Sequence, residues 1–156
     1  MGTWWRGIVA FSAALVLGWP GAMAQADAPV VTLHQAVFEA GAAQPQAVAL
    51  PHRWEDTAPG HSGRATYRLA LPVPPDNGML ALYVERACSN LEVRVNGQLI
   101  GSGGPPGTRH CYRPQLFALP SALLLPGGNE LRIDLEGHAA GSVVSRQRAA
   151  GLASIE

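Results

Sequence analysis

The sequence contains no lysine. All 11 of its basic residues are arginines, and 11 acids balance them to a formal net charge of zero. A neutral chain lacks the electrostatic footprint of a nucleic-acid binder, so no nucleic-acid partner is expected. Charge is sparse, at 14% of residues, and aromatics make up only 6%. The two cysteines, Cys88 and Cys111, are too few for a zinc ribbon, and His110 beside Cys111 has no CxxC or HxxxH companion, so no metal site is expected. After the first two dozen residues no stretch approaches the roughly 18 apolar residues of a membrane-spanning helix. No 3.6-residue apolar period runs through the chain, which argues against a helix bundle. Gly101-Ser102-Gly103-Gly104 is neither a nucleophile elbow nor a phosphate loop, because no lysine and no helix follow it. No cofactor is implied.

What is present is turn chemistry. Glycine (18) and proline (13) are abundant, a composition that favours short strands joined by turns. Leu91, Val93 and Val95 alternate with Glu92, Arg94 and Asn96, the period of two that gives a strand one buried and one polar face. Asn96-Gly97 then supplies the two positive-φ positions of a type I′ hairpin turn, and Gln98 to Gly101 returns. The same alternation appears in 65–71, with Tyr67, Leu69 and Leu71 sharing a face, and in 79–86, with Leu80, Leu82 and Val84. In 129–136 Leu131, Ile133 and Leu135 point inward. Arg132, Asp134 and Glu136 are expected to face solvent. Residues 30–38 read as an edge strand, 48–54 as a short extended piece ending in Trp54, and 115–119 as a further strand. Residues 121–125 read as one helical turn, and 151–156 as the start of a last strand. Seven or eight short strands without a long helix predict an all-β fold, an antiparallel β-sandwich.

The first 24 residues read as a secretory signal peptide. Arg6 and the amino terminus give a positive end, Ile8 to Leu17 an apolar core, and Ala22-Met23-Ala24 a small-x-small cleavage pattern. The apolar run is about ten residues, too short to cross a bilayer; an uncleaved anchor is the rival reading. A single domain over 25–156, periplasmic or secreted, is therefore expected. In an oxidising compartment Cys88 and Cys111 are expected to pair. Such a bridge closes a loop of about two dozen residues, worth about 3 kcal/mol in the chain-entropy model. Two buried thiols are the alternative.

The candidate ligand-binding residues lie around that bridge. Arg109, His110, Tyr112 and Arg113 concentrate two guanidiniums, an imidazole and an aromatic in one loop, and Cys88–Cys111 would tether it to Arg86 and Asn90. Guanidinium forks suit carboxylate or phosphate groups. The alternative is that Arg113 pairs with Glu85 or Glu92 and holds the loop down. Trp54, beside His52 and Arg53, is a candidate sugar platform or an edge-packing residue. Tyr83, on the outward side of its strand, is either a platform or a cover for the sheet. Asp134 and Glu136, two apart on one strand, fall near the spacing of an inverting glycosidase pair. Arg132 on the same face makes an ordinary charged surface the better reading, and no catalytic residue is assigned.

Several motifs together resemble a known family. They are Leu50-Pro51-His52-Arg53-Trp54, Tyr67-Arg68, the Asn96-Gly97 hairpin with Gly101, and Pro126-Gly127-Gly128-Asn129-Glu130-Leu131. In this order they resemble the jelly-roll sugar-binding domain of family 2 glycoside hydrolases, which is of the galactose-binding-like type, over roughly residues 45–137. The stretches Tyr83 to Asn90, Gly101 to Gly104 and Cys111 to Phe117 resemble more closely the periplasmic jelly-roll of membrane-bound sensor histidine kinases. That second resemblance implies a sensory module with a membrane-embedded signalling partner. The first implies a carbohydrate-binding module whose catalytic carboxylates sit in another domain. A small molecule or sugar is the ligand class in either case, and a structural or interaction domain with no small ligand is a third reading.

Overall fold

A computed structural model describes residues 30–72, 78–87, 90–103, 113–138 and the backbone of 151–152. Ten short strands make up most of it: β1 (Gln35–Ala40), β2 (Gln46–Ala49), β3 (His52–Arg53), β4 (Gly63–Leu71), β5 (Leu80–Val84), β6 (Asn90–Val95), β7 (Gln98–Ser102), β8 (Gln115–Leu119), β9 (Asn129–Gly137) and β10 (Gly151–Leu152). One turn of helix, α1 (Trp54–Thr57), follows β3, and a 3-10 turn, Ser121–Leu123, follows β8.

Six strands form one antiparallel sheet in the order β2-β1-β4-β9-β6-β7, and two further pairs, β5-β8 and β3-β10, complete the architecture. The protein is an all-β antiparallel sandwich of the jelly-roll kind. The period of two does the sorting. On β9 the inward Leu131, Ile133 and Leu135 have no exposure, and on β6 Leu91, Val93 and Val95 are equally enclosed. From the second layer Leu82, Val84, Phe117 and Leu119 close over them into one core with Phe38, Trp54 and Tyr67. Fully burying a side chain of this size stabilises by about 1.5–3 kcal/mol, an upper estimate that neglects residual burial in the unfolded chain.

Two strand expectations are corrected. Residues 30–38 do not form an edge: β1 begins at Gln35 and lies between β2 and β4, so the edge is β2. A run of alternating small and large residues does not say how many neighbours its strand has. The piece ending in Trp54 is also not extended throughout, because a bend at Leu50 and Pro51 separates β2 from β3 and Trp54 opens α1. The hairpin of β6 and β7 is as expected, with Asn96 at φ 49° and Gly97 at φ 82°. It carries a bulge opposite Val93 and Arg94. Gly101 lies there under the Phe117 ring, where a Cβ would collide with ring carbons.

Candidate functional site

The outer face of the six-stranded sheet carries rows of polar side chains. Register fixes them in rows across the strands. Thr66, Asp134, Glu92 and Ser102 face one another in one row, Arg68, Arg132 and Arg94 in the next, and Arg64, Glu136 and Asn90 in the row on the other side. Like charges directly opposite one another on a sheet are unfavourable. The three arginines are compensated by acids from the neighbouring row: Arg94 Nη2 lies 3.0 Å from Glu92 Oε2, and Arg132 Nη2 3.0 Å from Asp134 Oδ1. Arg68 reaches Glu39 at 3.8 Å.

Asp134 is the centre of this arrangement, and its setting departs from expectation. Alternation along β9 puts it in solvent with Glu136, yet its side chain is only 4% exposed. The reason is the length of the arginines around it, which lie across the sheet and cover a short carboxylate. Its Oδ1 accepts from the Thr66 hydroxyl at 2.6 Å and from Arg132 Nε and Nη2 at 3.1 and 3.0 Å. Its Oδ2 has the Arg94 Nε at 3.9 Å, an ion-pair distance beyond hydrogen-bonding range. Beside it a cleft of about 140 Å³ opens on the sheet face, and Arg64, Asn90, Glu92, Ser102, Asp134 and Glu136 are among the residues that line it. Among the described residues no group of three or more His, Cys, Asp or Glu side chains is placed to hold a metal ion.

A second polar cluster is internal. The Tyr67 hydroxyl has no exposure and lies 2.7 Å from His52 Nδ1, and it accepts from Trp54 Nε1 at 3.1 Å. His52 Nε2 is 2.9 Å from the Thr57 hydroxyl. One arrangement satisfies all four groups: neutral His52 accepts from Tyr67 at Nδ1 and donates from Nε2 to Thr57. Burial pushes the His52 pKa below its ordinary value, with nearby Asp56 opposing in part. The rings of Phe38, His52, Trp54 and Tyr67 pack against one another at centroid distances from 4.7 to 6.2 Å. These residues anchor β3 and α1 to the sheet.

The structure separates the residues proposed from sequence. Trp54, 2% exposed with its indole nitrogen bonded inside the core, is a packing residue and not a surface platform. Asn90 lines the polar cleft. Arg86 and Arg113 are exposed beside β5 and β8. Glu92, one suggested partner of Arg113, pairs with Arg94 instead. Arg109, His110, Tyr112, Cys88 and Cys111 lie outside the described residues, as does the signal segment 1–24. Tyr83 is half-buried and lines an apolar groove of about 230 Å³ with Val30, Leu33, Leu71, Leu80 and Leu119. Sequence reasoning missed Thr66 and Ser102. Both sit on outward positions of their strands, but only the cross-strand register sets Thr66 opposite Asp134 and Ser102 one strand further, across Glu92.

No known sequence family and no curated protein matches the chain. Solved structures do. The β-glucuronidase of Bifidobacterium dentium is 19% identical, with a TM-score of 0.61 over 85% of this chain and 30% of its own. The β-glucuronidase 2 of Bacteroides uniformis, as a calcium-binding mutant, is 16% identical, with a TM-score of 0.62 over 80% of this chain and 17% of its own. A family 2 glycosyl hydrolase of Bacteroides cellulosilyticus is 12% identical, with a TM-score of 0.61 over 80% and 20%. The chain shares their fold. It spans less than a third of the length of each. These likenesses agree with the fold that the family 2 resemblance implies, and none of the comparisons supports the sensor-kinase resemblance or its membrane partner.

Proposed function

We propose that this chain is a non-catalytic carbohydrate-binding domain of the kind that accompanies the catalytic barrel in family 2 glycoside hydrolases. The observation that carries the reading is the asymmetry of coverage. About four-fifths of the chain superposes on these enzymes while occupying only 17–30% of them. Asp134, the one deeply buried carboxylate among the described residues, is tied to Thr66 and Arg132 and is poorly placed to act as a general acid or base. The similar enzymes include β-glucuronidases and a β-galacturonidase, so neutral hexoses and hexuronic acids are the ligand classes to examine. A thermal-shift screen of the folded chain against both classes tests the reading. A sugar-specific, saturable rise in melting temperature is expected, and no rise with any saccharide contradicts it.

Export and a Cys88–Cys111 disulfide belong to the same reading. A purified periplasmic form starting at Gln25, unreactive to a thiol reagent until reduced, is the expected result. Labelling of both cysteines without reduction contradicts the bridge.

A further inference from the structure

We infer that the end of the β5–β8 ladder is the saccharide subsite of this domain, and that it takes a hexuronic acid. The inference rests on the carbohydrate-binding reading above and adds to it a place and a ligand chemistry. It starts from Gln115, the first residue of β8. Its Nε2 is buried and has no hydrogen-bond acceptor, the one such side-chain atom among the described residues. Gly103, just past the end of β7, lies against this amide. A Cβ at Gly103 would collide with both Oε1 and Nε2 of Gln115, and Gly103 does not have the positive φ that calls for glycine at the turns. Space for the amide is therefore what requires glycine here. The Gly103 N–H donates to the Leu91 carbonyl at 2.8 Å and fixes this strand end. A buried N–H₂ group without an acceptor is costly, and it calls for an acceptor from outside the chain.

Two cations stand at the same place and set the ligand class. Val84 pairs with Gln115 on the last rung of the ladder. Arg86 follows Val84 by two residues and Arg113 precedes Gln115 by two, so both leave the ladder at this end; two residues of extended chain span at most about 7 Å. Both arginines are exposed. Neither has an ion pair, whereas Arg68, Arg94 and Arg132 on the six-stranded sheet all have acids. Glu85, the acid beside Arg86, is engaged in an interaction of its own. The ladder end thus presents two guanidiniums and one amide, all donors. Guanidinium forks match a planar carboxylate. A sugar that carries a carboxylate beside its ring and hydroxyl oxygens supplies the charge for the arginines and an acceptor for the amide. Gln115 as a whole residue is only half-buried, and its terminal amide torsion is broad, so Nε2 turns to meet the ligand.

Calorimetric titration of the full chain with glucuronate, galacturonate, glucose, acetate and inorganic phosphate tests the inference, repeated on the double variant Arg86→Gln/Arg113→Gln and on Gln115→Met. A uronate is expected to bind about tenfold or more tighter than glucose, the margin that one charge-assisted hydrogen bond commands. That margin is expected to shrink as salt screens the exposed arginines, and to vanish in the arginine variant. Gln115→Met roughly conserves volume and removes the unpaired donor. It is expected to melt higher than the parent chain and yet to bind the uronate more weakly, a combination that a merely structural glutamine does not give. Should Gln115→Met fail to fold by circular dichroism, the arginine variant, altered only at exposed positions, decides alone. A lower melting temperature in folded Gln115→Met overturns the amide's place in the site. Undiminished uronate affinity in the arginine variant overturns the site but leaves the carbohydrate reading standing. Glucose binding as tightly as the uronates overturns the ligand class. Acetate or phosphate binding as tightly shows a site for any small oxyanion and overturns the saccharide assignment. No saccharide binding to the parent chain removes the carbohydrate reading and this inference with it.

Discussion

Asn96 and Asn129 are joined side chain to side chain, with Asn96 Nδ2 donating to Asn129 Oδ1 at 2.6 Å. The bond ties the tip of the β6–β7 hairpin to the first residue of β9. Around it Asn96 Nδ2 also donates to the Leu123 carbonyl, Asn96 Oδ1 accepts from the Glu130 amide, and Asn129 bonds both backbone groups of Leu125. Asn96 thus has two jobs, a positive-φ turn residue and a staple for the loop leading into the central strand. Asn96→Gly keeps the turn conformation and loses the staple, whereas Asn96→Ala loses both. We expect the alanine variant to unfold at lower urea, by about 2–3 kcal/mol in total, and the glycine variant to retain roughly 1 kcal/mol more, the cost of a left-handed residue. Equal losses would show that the hydrogen bonds, not the backbone, dominate.

Tyr67→Phe removes the one hydroxyl that serves both His52 and Trp54. Each buried partner left unpaired costs about 1–3 kcal/mol. Urea denaturation followed by tryptophan fluorescence is expected to register a large loss, because Trp54 is itself the reporter. A change under about 0.5 kcal/mol would fall within the range of an ordinary surface substitution and would show that water satisfies both groups.

His52 gives the fold a pH dependence of defined sign. Its folded pKa lies below the ordinary 6.5 because burial disfavours the imidazolium. Between the folded value and 6.5 the unfolded chain binds more protons than the folded one, so stability rises with pH. The stabilisation is present above pH 6.5 and is lost as pH falls through the region below it. Melting temperatures from pH 8 to pH 5 should fall for the parent chain, with a shallower fall for His52→Gln. Parallel profiles would remove His52 as the cause.

Gly101→Ala tests how tightly the two layers meet. The added Cβ would strike the Phe117 ring on β8, and a core forced to accommodate an extra methyl loses about 1–3 kcal/mol. Pairing it with Phe117→Leu, which clears the ring, is expected to recover part of the loss. Additive losses in the double variant would contradict the contact.

Much of the sandwich was legible because one signal, alternation, is local. Leu91, Val93, Val95, Leu131, Ile133 and Leu135 fall inside the core as their spacing requires. The Asn96-Gly97 turn follows from φ preferences alone. What depends on neighbours in space was not legible. The inner position of β1 follows from its pairing with both β2 and β4. The burial of Trp54 follows from the way α1 turns the chain back onto Tyr67. The enclosure of Asp134 follows from two arginines, one on its own strand and one on β6. The cleft residues come from β4, β6, β7 and β9, so no contiguous motif announces them, whereas the compact loop 109–113 drew attention because its residues are adjacent in sequence.

The most direct measurement of the central claim is residue-resolved: backbone amide NMR shifts of the folded chain during a titration with a neutral hexose. Saturable shifts confined to one contiguous patch of amides are the expected result. A titration that moves no amide, or moves them without saturating, contradicts it.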